Sequence, residues 1–194
     1  MKDEVAKKIS EKILEAVGGN EVLAQILVGR GITEEEVSEF FNPGLYNPTA
    51  PEEFPGMEDA VEIVQRAVET GKKICIYGDY DVDGVTATAL LVRVLKMLGA
   101  KVIYKVPDRF KEGYGMKEEV IYRLHEEEVD LIVTCDCGIS NVKEIELAKD
   151  LGMEVVVTDH HALPPILPKA DAIINSQCLA PGHPARLVPG VAVA

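Results

Sequence analysis

The sequence contains no tryptophan, only four cysteines and no long hydrophobic run. Because no two cysteines form a C-x-x-C pair, neither a zinc site nor a disulfide framework is predicted, and we expect free thiols in a reducing cytoplasm. No stretch reaches the roughly 18 apolar residues that a membrane-spanning helix needs. Residues 1–16 are charged and lack the apolar core of a signal peptide. These absences predict a soluble, cytoplasmic protein.

Positive charge is also scarce, with 20 Lys and Arg residues against 33 Asp and Glu and a formal net charge of −13. This excess argues against broad electrostatic adhesion to nucleic acid. If part of it consists of metal ligands, however, bound divalent cations would reverse the local sign. The net charge is therefore only weak evidence against a phosphate-bearing substrate.

The first 55 residues have a different pattern from the rest. After the first helix, whose residues are given below, a second helix is predicted over 20–28. Thr33 and Glu36 form a capping box for a third, and residues 42–55 carry four prolines. We therefore predict a helical lead-in and linker over 1–55. The first helix of this lead-in is predicted from apolar residues at helical spacing, namely Val5, Ile9, Ile13 and Val17.

Residues 56–194 are predicted to form the main domain, opened by a helix over 57–70. Apolar strands are predicted near 73–77, 101–106, 130–134, 153–157 and 171–174. Amphipathic helices fit between them at 85–98, 116–127 and 141–151. This alternation predicts an α/β fold with a mainly parallel sheet of about five strands and helices on both faces. The apolar end of the sequence predicts a C-terminally truncated fragment of a longer protein.

Three predicted strands end in clusters of carboxylates or imidazoles. Because parallel strands bring their carboxyl ends to one edge of a sheet, where ligands bind, the clusters are expected to meet. Carboxylates with imidazole suit Mn²⁺, and Mg²⁺ less readily. Two such ions, roughly 3.5–4 Å apart, activate water and stabilise the attacking and leaving oxygens of a phosphoryl transfer. Asp136 could serve both ions only from a bridging position. The clusters contain Asp79, Asp81 and Asp83, then Asp136, then Asp159, His160 and His161.

Simpler explanations exist for each cluster alone. The first could be a calcium loop, but residues 85–91 contain no carboxylate where an EF-hand needs its glutamate. Asp136 could merely cap the next helix, and the adjacent histidines could be structural. The coincidence of all three clusters on one edge favours the metal site.

The segment 107–116 follows a predicted strand and is expected on the same edge. Arg109 and Lys111 could hold phosphates, and Tyr114 could stack on a base. For Phe110, a core position is expected in preference to a base contact.

These residues resemble a known family. The segments 78–84, 136–140 and 159–161 are similar to the first three motifs of the DHH phosphoesterases, and 109–115 is similar to a loop of the RecJ-type single-strand-specific DNA exonucleases. With the lead-in, the resemblance covers nearly the whole chain. It implies Mn²⁺- or Mg²⁺-dependent hydrolysis of single-stranded DNA from the 5′ end, in DNA repair and recombination, with two ions in the complete protein.

The resemblance also implies residue roles. Many DHH proteins have a histidine ligand where this sequence has Tyr77, and the family's fourth motif and second domain are expected beyond residue 194. Asp79 could instead orient its loop. The implied metal ligands are Asp81, Asp83, Asp136 and His160, and His161 completes the implied catalytic set. The implied substrate-binding residues are Arg109, Tyr114, Ser140 and Asp79.

Other functions stay open at this point. Related DHH phosphodiesterases act on oligoribonucleotides or cyclic dinucleotides, and some DHH-fold proteins are non-catalytic scaffolds. The implied partner is single-stranded DNA, with a repair helicase or a single-strand-binding protein acting through the full-length protein. No membrane partner is expected.

Overall fold

A computed structural model describes residues 9–45 and 48–194. The described residues up to Pro48 form one compact unit, and Thr49–Ala194 form a second. Val5, in the first predicted helix, lies outside the described residues, and the domain boundary after residue 55 stays a prediction. Within the described ranges, no helix has the length and apolar character needed to cross a membrane.

The first unit is a small group of helices, α1 (Glu11–Ala16), α2 (Glu21–Gly29) and α3 (Val37–Phe41), followed by a 3₁₀ turn at Pro43–Leu45. The predicted capping box precedes α3, since Glu36 N–H donates to the Thr33 hydroxyl and Thr33 N–H donates to the Glu36 carboxylate. Buried apolar side chains from all three helices form its core, namely Ile13, Ala24, Leu27 and Val37.

The second unit is an α/β fold, as predicted. Its helices are α4 (Met57–Glu69), α5 (Val82–Met97), α6 (Glu118–Glu126), α7 (Val142–Asp150) and α8 (Gly190–Val193). Its strands are β1 (Lys73–Gly78), β2 (Lys101–Lys105), β3 (Leu131–Cys135), β4 (Glu154–Asp159) and β5 (Ala172–Asn175). The five strands lie in the order β2-β1-β3-β4-β5, and every neighbouring pair is parallel. Short 3₁₀ turns occupy Pro51–Glu53, Ser176–Cys178 and Pro184–Leu187.

Helices cover both faces of the sheet. Strand β3 is buried along its whole length, and β1 and β4 are buried beyond their first residues, as expected for a parallel sheet between two helical layers. Side chains alternate between the faces, so Ile74 and Ile76 pack with α4, α5 and α8. Cys75 and Tyr77 pack on the opposite face with α6 and α7.

The strand order places a topological switch point between β1 and β3, because the chain leaves these neighbouring strands towards helices on opposite faces. In open α/β sheets the crevice at such a point, outside the carboxyl ends of the strands, is where ligands bind. Gly78 and Cys135 are paired at this edge, and Asp79 and Asp136 follow them directly. The fold therefore brings the first two acidic clusters together.

Candidate metal centre

The first cluster is shaped by the tight start of α5. The Asp81 carboxylate caps this helix by accepting a hydrogen bond from Gly84 N–H, at 3.1 Å. A Cβ atom at Gly84 would lie 2.6 Å from the Asp79 backbone, so only glycine lets the helix begin so close to the end of β1. Asp79 and Asp81 are thereby held at the carboxyl edge of the sheet.

Asp136, the residue after β3, is the most constrained carboxylate of the site. It is 1% exposed and has a left-handed backbone, with φ of 60°, which costs a non-glycine residue conformational energy. Burial, reinforced by the charges of Asp83 and Asp81, raises the pKa of Asp136 to about 7. Within the described part of the chain, its Oδ1 accepts no hydrogen bond of good geometry, although His160 Nε2 lies 3.0 Å away. A buried, unpartnered carboxylate oxygen beside other carboxylates is the environment that a cation would stabilise.

The third cluster supplies an imidazole to the same point. His160 Nε2 lies 3.0 Å from Asp136 Oδ1 and 3.7 Å from Asp83 Oδ2. The ends of β3 and β4 and the first turn of α5 therefore each contribute one side chain to a common centre.

Asp159, which sequence reasoning left without a role, holds this third cluster in place. It is fully buried and accepts hydrogen bonds from the backbone N–H groups of His160 (2.7 Å), His161 (3.1 Å) and Ile139 (3.0 Å). Its Oδ1 also lies 2.7 Å from His161 Nδ1. Burial lowers the pKa of His161, but the hydrogen bond and charge of Asp159 outweigh it, so the pKa is raised. The sequence feature that indicates this structural role is the position of Asp159 as the last residue of a buried strand.

The donor atoms fall into two groups that share one residue. Asp136, His160 and His161 form one group, and Asp79, Asp81 and Asp136 form the other, with ligand atoms within 4.8 Å of one another in each. Asp79 is 4% exposed, and its Oδ1 has no hydrogen-bond partner among the described residues. Burial, reinforced by the charge of Asp81, raises the pKa of Asp79. This set of carboxylate oxygens and imidazole nitrogens fits Mn²⁺ or Mg²⁺.

Asp83 lies beside the two groups rather than inside them. Its carboxylate accepts hydrogen bonds from Gly190 N–H (2.6 Å) and Val191 N–H (2.7 Å) at the start of α8. Asp83 approaches the centre through its Oδ2, which lies 3.7 Å from His160 Nε2. Its metal-ligand role stays a prediction.

The loop after β2 brings an aromatic side chain to the centre. The Tyr114 hydroxyl lies 3.3 Å from His161 Nδ1 and 3.4 Å from the Asp136 carbonyl oxygen, to which it donates. Arg109 stacks over the Tyr80 ring, with its guanidinium carbon 5.3 Å from the ring centroid. Arg109 therefore contacts the first acidic loop, at Tyr80, and Tyr114 contacts the second, at the Asp136 carbonyl oxygen.

The expectation of a core position for Phe110 was wrong, because its side chain is 95% exposed. The cause is the local turn, in which Asp108 Oδ1 accepts from Phe110 N–H at 2.9 Å and the Asp108 carbonyl oxygen accepts from Glu112 N–H at 2.8 Å. This turn directs the ring away from the sheet.

Ser140, a predicted substrate-binding residue, and Tyr77 lie apart from the donor groups. Ser140 is exposed in the turn before α7, and its predicted phosphate contact stays a prediction. Tyr77 is fully buried, and its hydroxyl donates to the Gly115 carbonyl oxygen at 3.3 Å. Tyr77 therefore ties β1 to the loop that carries Tyr114.

Residues 73–185 match the N-terminal domain of the DHH family. The chain therefore belongs to the DHH family. It is 39% identical over 177 residues to the single-stranded-DNA-specific exonuclease RecJ of Bacillus subtilis (strain 168), which covers 89% of this chain and 22% of that protein. The similarity to such proteins makes this a DHH domain of the RecJ type.

Two solved structures have the same fold. Exonuclease RecJ bound to manganese aligns with a TM-score of 0.68 at 38% identity, covering 75% of this chain and 37% of that one. RecJ from Thermus thermophilus in complex with Mn²⁺ aligns with a TM-score of 0.69 at 30% identity, covering 94% and 25%. The chain spans about a quarter of the length of the curated RecJ proteins it matches, 22% in B. subtilis and 25% in Escherichia coli.

Proposed function

We propose that this chain is the catalytic DHH domain of a RecJ-type exonuclease that degrades single-stranded DNA from 5′ to 3′ in DNA repair and recombination. The observation that carries the metal chemistry is Asp136, whose buried carboxylate belongs to both donor groups. The similarity to single-stranded-DNA-specific exonucleases supports the substrate class. Two solved relatives contain manganese, which supports the choice of metal.

The proposed chemistry is hydrolysis of a phosphodiester by water. Two bound divalent cations supply an activated water and stabilise charge on the attacking and leaving oxygens. Asp81, Asp83, Asp136 and His160 remain the proposed ligands, and Asp79 and His161 are added because they belong to the two donor groups. Asp159 orients the His161 ring through Nδ1, which leaves Nε2 available at the centre.

The proposed DNA contacts lie on the loop after β2. Phe110 offers an exposed ring on which a base can stack, and Arg109 offers a guanidinium for a phosphate. Tyr114, on the same loop, contacts His161. Since the chain carries a net charge of −13, DNA binding is expected to depend on this edge of the sheet rather than on a broad basic surface.

The alternatives are weaker. In a metal-free scaffold, the buried carboxylate oxygens of Asp79 and Asp136 that accept no hydrogen bond would destabilise the fold without any compensating function. Nothing in the described residues favours a cyclic dinucleotide or an oligoribonucleotide over DNA. A cytoplasmic location, and a repair helicase or single-strand-binding protein as partners of the full-length protein, are part of the same proposal.

A nuclease assay with 5′- and 3′-labelled single-stranded DNA and Mn²⁺ tests the proposal. We expect metal-dependent release of mononucleotides from the 5′ end, loss of this activity in Asp136→Asn, and retention in the control Asp150→Asn, which changes an exposed aspartate at the end of α7. Cleavage of dinucleotides without cleavage of long DNA would favour the alternative substrate. Full activity in Asp136→Asn would contradict the proposal.

A further inference from the structure

The first turn of α8 is bonded to the candidate metal centre. Gly190 N–H and Val191 N–H open this helix, and such N-terminal amides have no acceptor within their own helix. Both donate to the Asp83 carboxylate, one to each oxygen, at 2.6 and 2.7 Å. A single carboxylate from the α5 turn therefore satisfies both free amides of a segment more than one hundred residues away.

The same turn packs directly against Asp136. A Cβ atom at Gly190 would lie 2.7 Å from Asp136 Oδ1 and 2.9 Å from Asp136 Cβ, closer than real Cβ atoms come to any neighbour. Asp136 cannot easily yield, because it is buried and its backbone is held in a left-handed conformation. The position therefore needs a residue without a side chain.

The two carboxylates that contact this turn, those of Asp83 and Asp136, both lie close to the imidazole of His160. Asp136 Oδ1 and Asp83 Oδ2, which face Gly190, are also the atoms that lie 3.0 and 3.7 Å from His160 Nε2. Gly190 lies outside residues 73–185, which match the DHH family domain, so that match assigns it no role.

We propose that Gly190 is a positioning residue of the metal centre. Its N–H, together with that of Val191, fixes the Asp83 carboxylate, and because it has no side chain, no Cβ atom displaces Asp136 Oδ1 from the centre. Each carboxylate oxygen has two lone pairs, so Asp83 can accept an amide hydrogen bond and bind a metal at the same time. This inference rests on the proposed function, because it presupposes that the two donor groups bind divalent cations.

Calorimetric titration with Mn²⁺ tests the role of the missing side chain. We expect Gly190→Ala to lower Mn²⁺ affinity by about 10- to 100-fold, the usual effect of disturbing the groups that hold metal ligands. The matched control is Ala192→Ser, which adds one heavy atom to the same turn at an exposed position and should leave the affinity unchanged. Circular dichroism and thermal melting establish that both variants are folded at the titration temperature.

A second measurement needs no substitution. Asp83 is the acceptor for the amides of Gly190 and Val191, so their hydrogen exchange reports on the breaking of this contact. Diamagnetic Mg²⁺ allows both amides to be followed by NMR. We expect their exchange to slow when the ion binds, because a metal-bound Asp83 is held more rigidly. Unchanged exchange at saturating Mg²⁺ would overturn the inference, and would do so even if Gly190→Ala failed to fold.

The two proposals fail in different ways. If the unmodified chain bound no Mn²⁺, the metal centre itself, and with it the proposed function, would be wrong. If the unmodified chain bound Mn²⁺ and folded Gly190→Ala bound it equally well, only the positioning role of Gly190 would be wrong.

Discussion

His160 Nε2 lies 3.0 Å from Asp136 Oδ1, which joins the ends of β4 and β3 at the carboxyl edge of the sheet. A carboxylate oxygen of Asp136 also lies within 4.8 Å of carboxylate oxygens of Asp79 and Asp81, which follow β1. The centre therefore depends on three strands in the order β1-β3-β4, of which β1 and β3 flank the switch point. A parallel α/β sheet explains why residues from these distant parts of the sequence meet.

Asp159 should stabilise the fold through its hydrogen bonds. In Asp159→Asn an amide group replaces one of two oxygens that accept from His160, His161 and Ile139, so at least one buried donor loses its partner. We expect the free energy of unfolding to fall by about 1–3 kcal/mol, measured by urea denaturation without metal. Asp150→Asn, at an exposed position, serves as the control. Equal midpoints for Asp159→Asn and the unmodified chain would show that these bonds contribute nothing.

Tyr77 should act as a structural residue rather than a ligand. Tyr77→Phe removes the buried hydroxyl that donates to Gly115, and we expect a loss of about 1 kcal/mol in the free energy of unfolding with unchanged Mn²⁺ affinity. Tyr122→Phe, which changes a half-exposed ring on α6, controls for the loss of a hydroxyl. A drop in Mn²⁺ affinity confined to Tyr77→Phe would place its hydroxyl at the metal centre instead.

Phe110 should contribute to DNA binding without contributing to stability. Because its ring is 95% exposed, Phe110→Ala should leave the melting temperature unchanged. Loss of base stacking should weaken single-stranded DNA binding by about 1–3 kcal/mol, measured by fluorescence anisotropy at fixed salt concentration. Met97→Ala, at a 79% exposed position at the end of α5, is the matched control. Equal DNA affinity in the two variants would remove Phe110 from the proposed interface.

Glu154 should make the fold sensitive to acid. Burial raises the pKa of Glu154, but ion pairs with Lys72 (2.7 Å) and Arg66 outweigh it, so the pKa lies below its usual 4.5. A folded-state pKa below the unfolded value means that the contribution to stability is present above pH 4.5 and is lost as the pH falls through the lower folded-state pKa.

The pH dependence can be measured against Glu154→Gln, which cannot ionise. The difference in unfolding free energy between the two proteins should be largest near neutral pH and vanish in acid. It should stay below about 1 kcal/mol, since Arg66 and Lys72 are substantially exposed and screened by solvent. A difference that grew as the pH fell would contradict the assignment.

The sheet and the place of the site could be predicted because they depend on local sequence patterns. Apolar runs of strand length ended in polar clusters, and the strand order required by parallel βαβ units brought these ends together. The apolar pattern predicts the start of α5 at residue 85, whereas the helix begins at Val82, because the Asp81 side chain caps it there.

The details of the centre depend on contacts that no local pattern encodes. The hydrogen bonds of Asp83 involve Gly190 and Val191, and that pairing is visible only in the folded chain. The exposure of Phe110 follows from hydrogen bonds within its own turn. The presence of an aromatic residue in a loop does not by itself indicate such a turn. By contrast, the sequence does point to Asp136 as the carboxylate that could serve both ions, and the structure places it in both donor groups.

The sharing of Asp136 is the central claim, and counting bound Mn²⁺ ions by calorimetry tests it most directly. The unmodified chain should bind two ions. His160→Ala should lose the ion held by Asp136, His160 and His161 and keep the other. Asp136→Asn should lose both ions, because Asp136 belongs to both groups. His125→Ala, at an exposed position on α6, should behave as the unmodified chain. An Asp136→Asn variant that still bound one ion with unchanged affinity would contradict the claim.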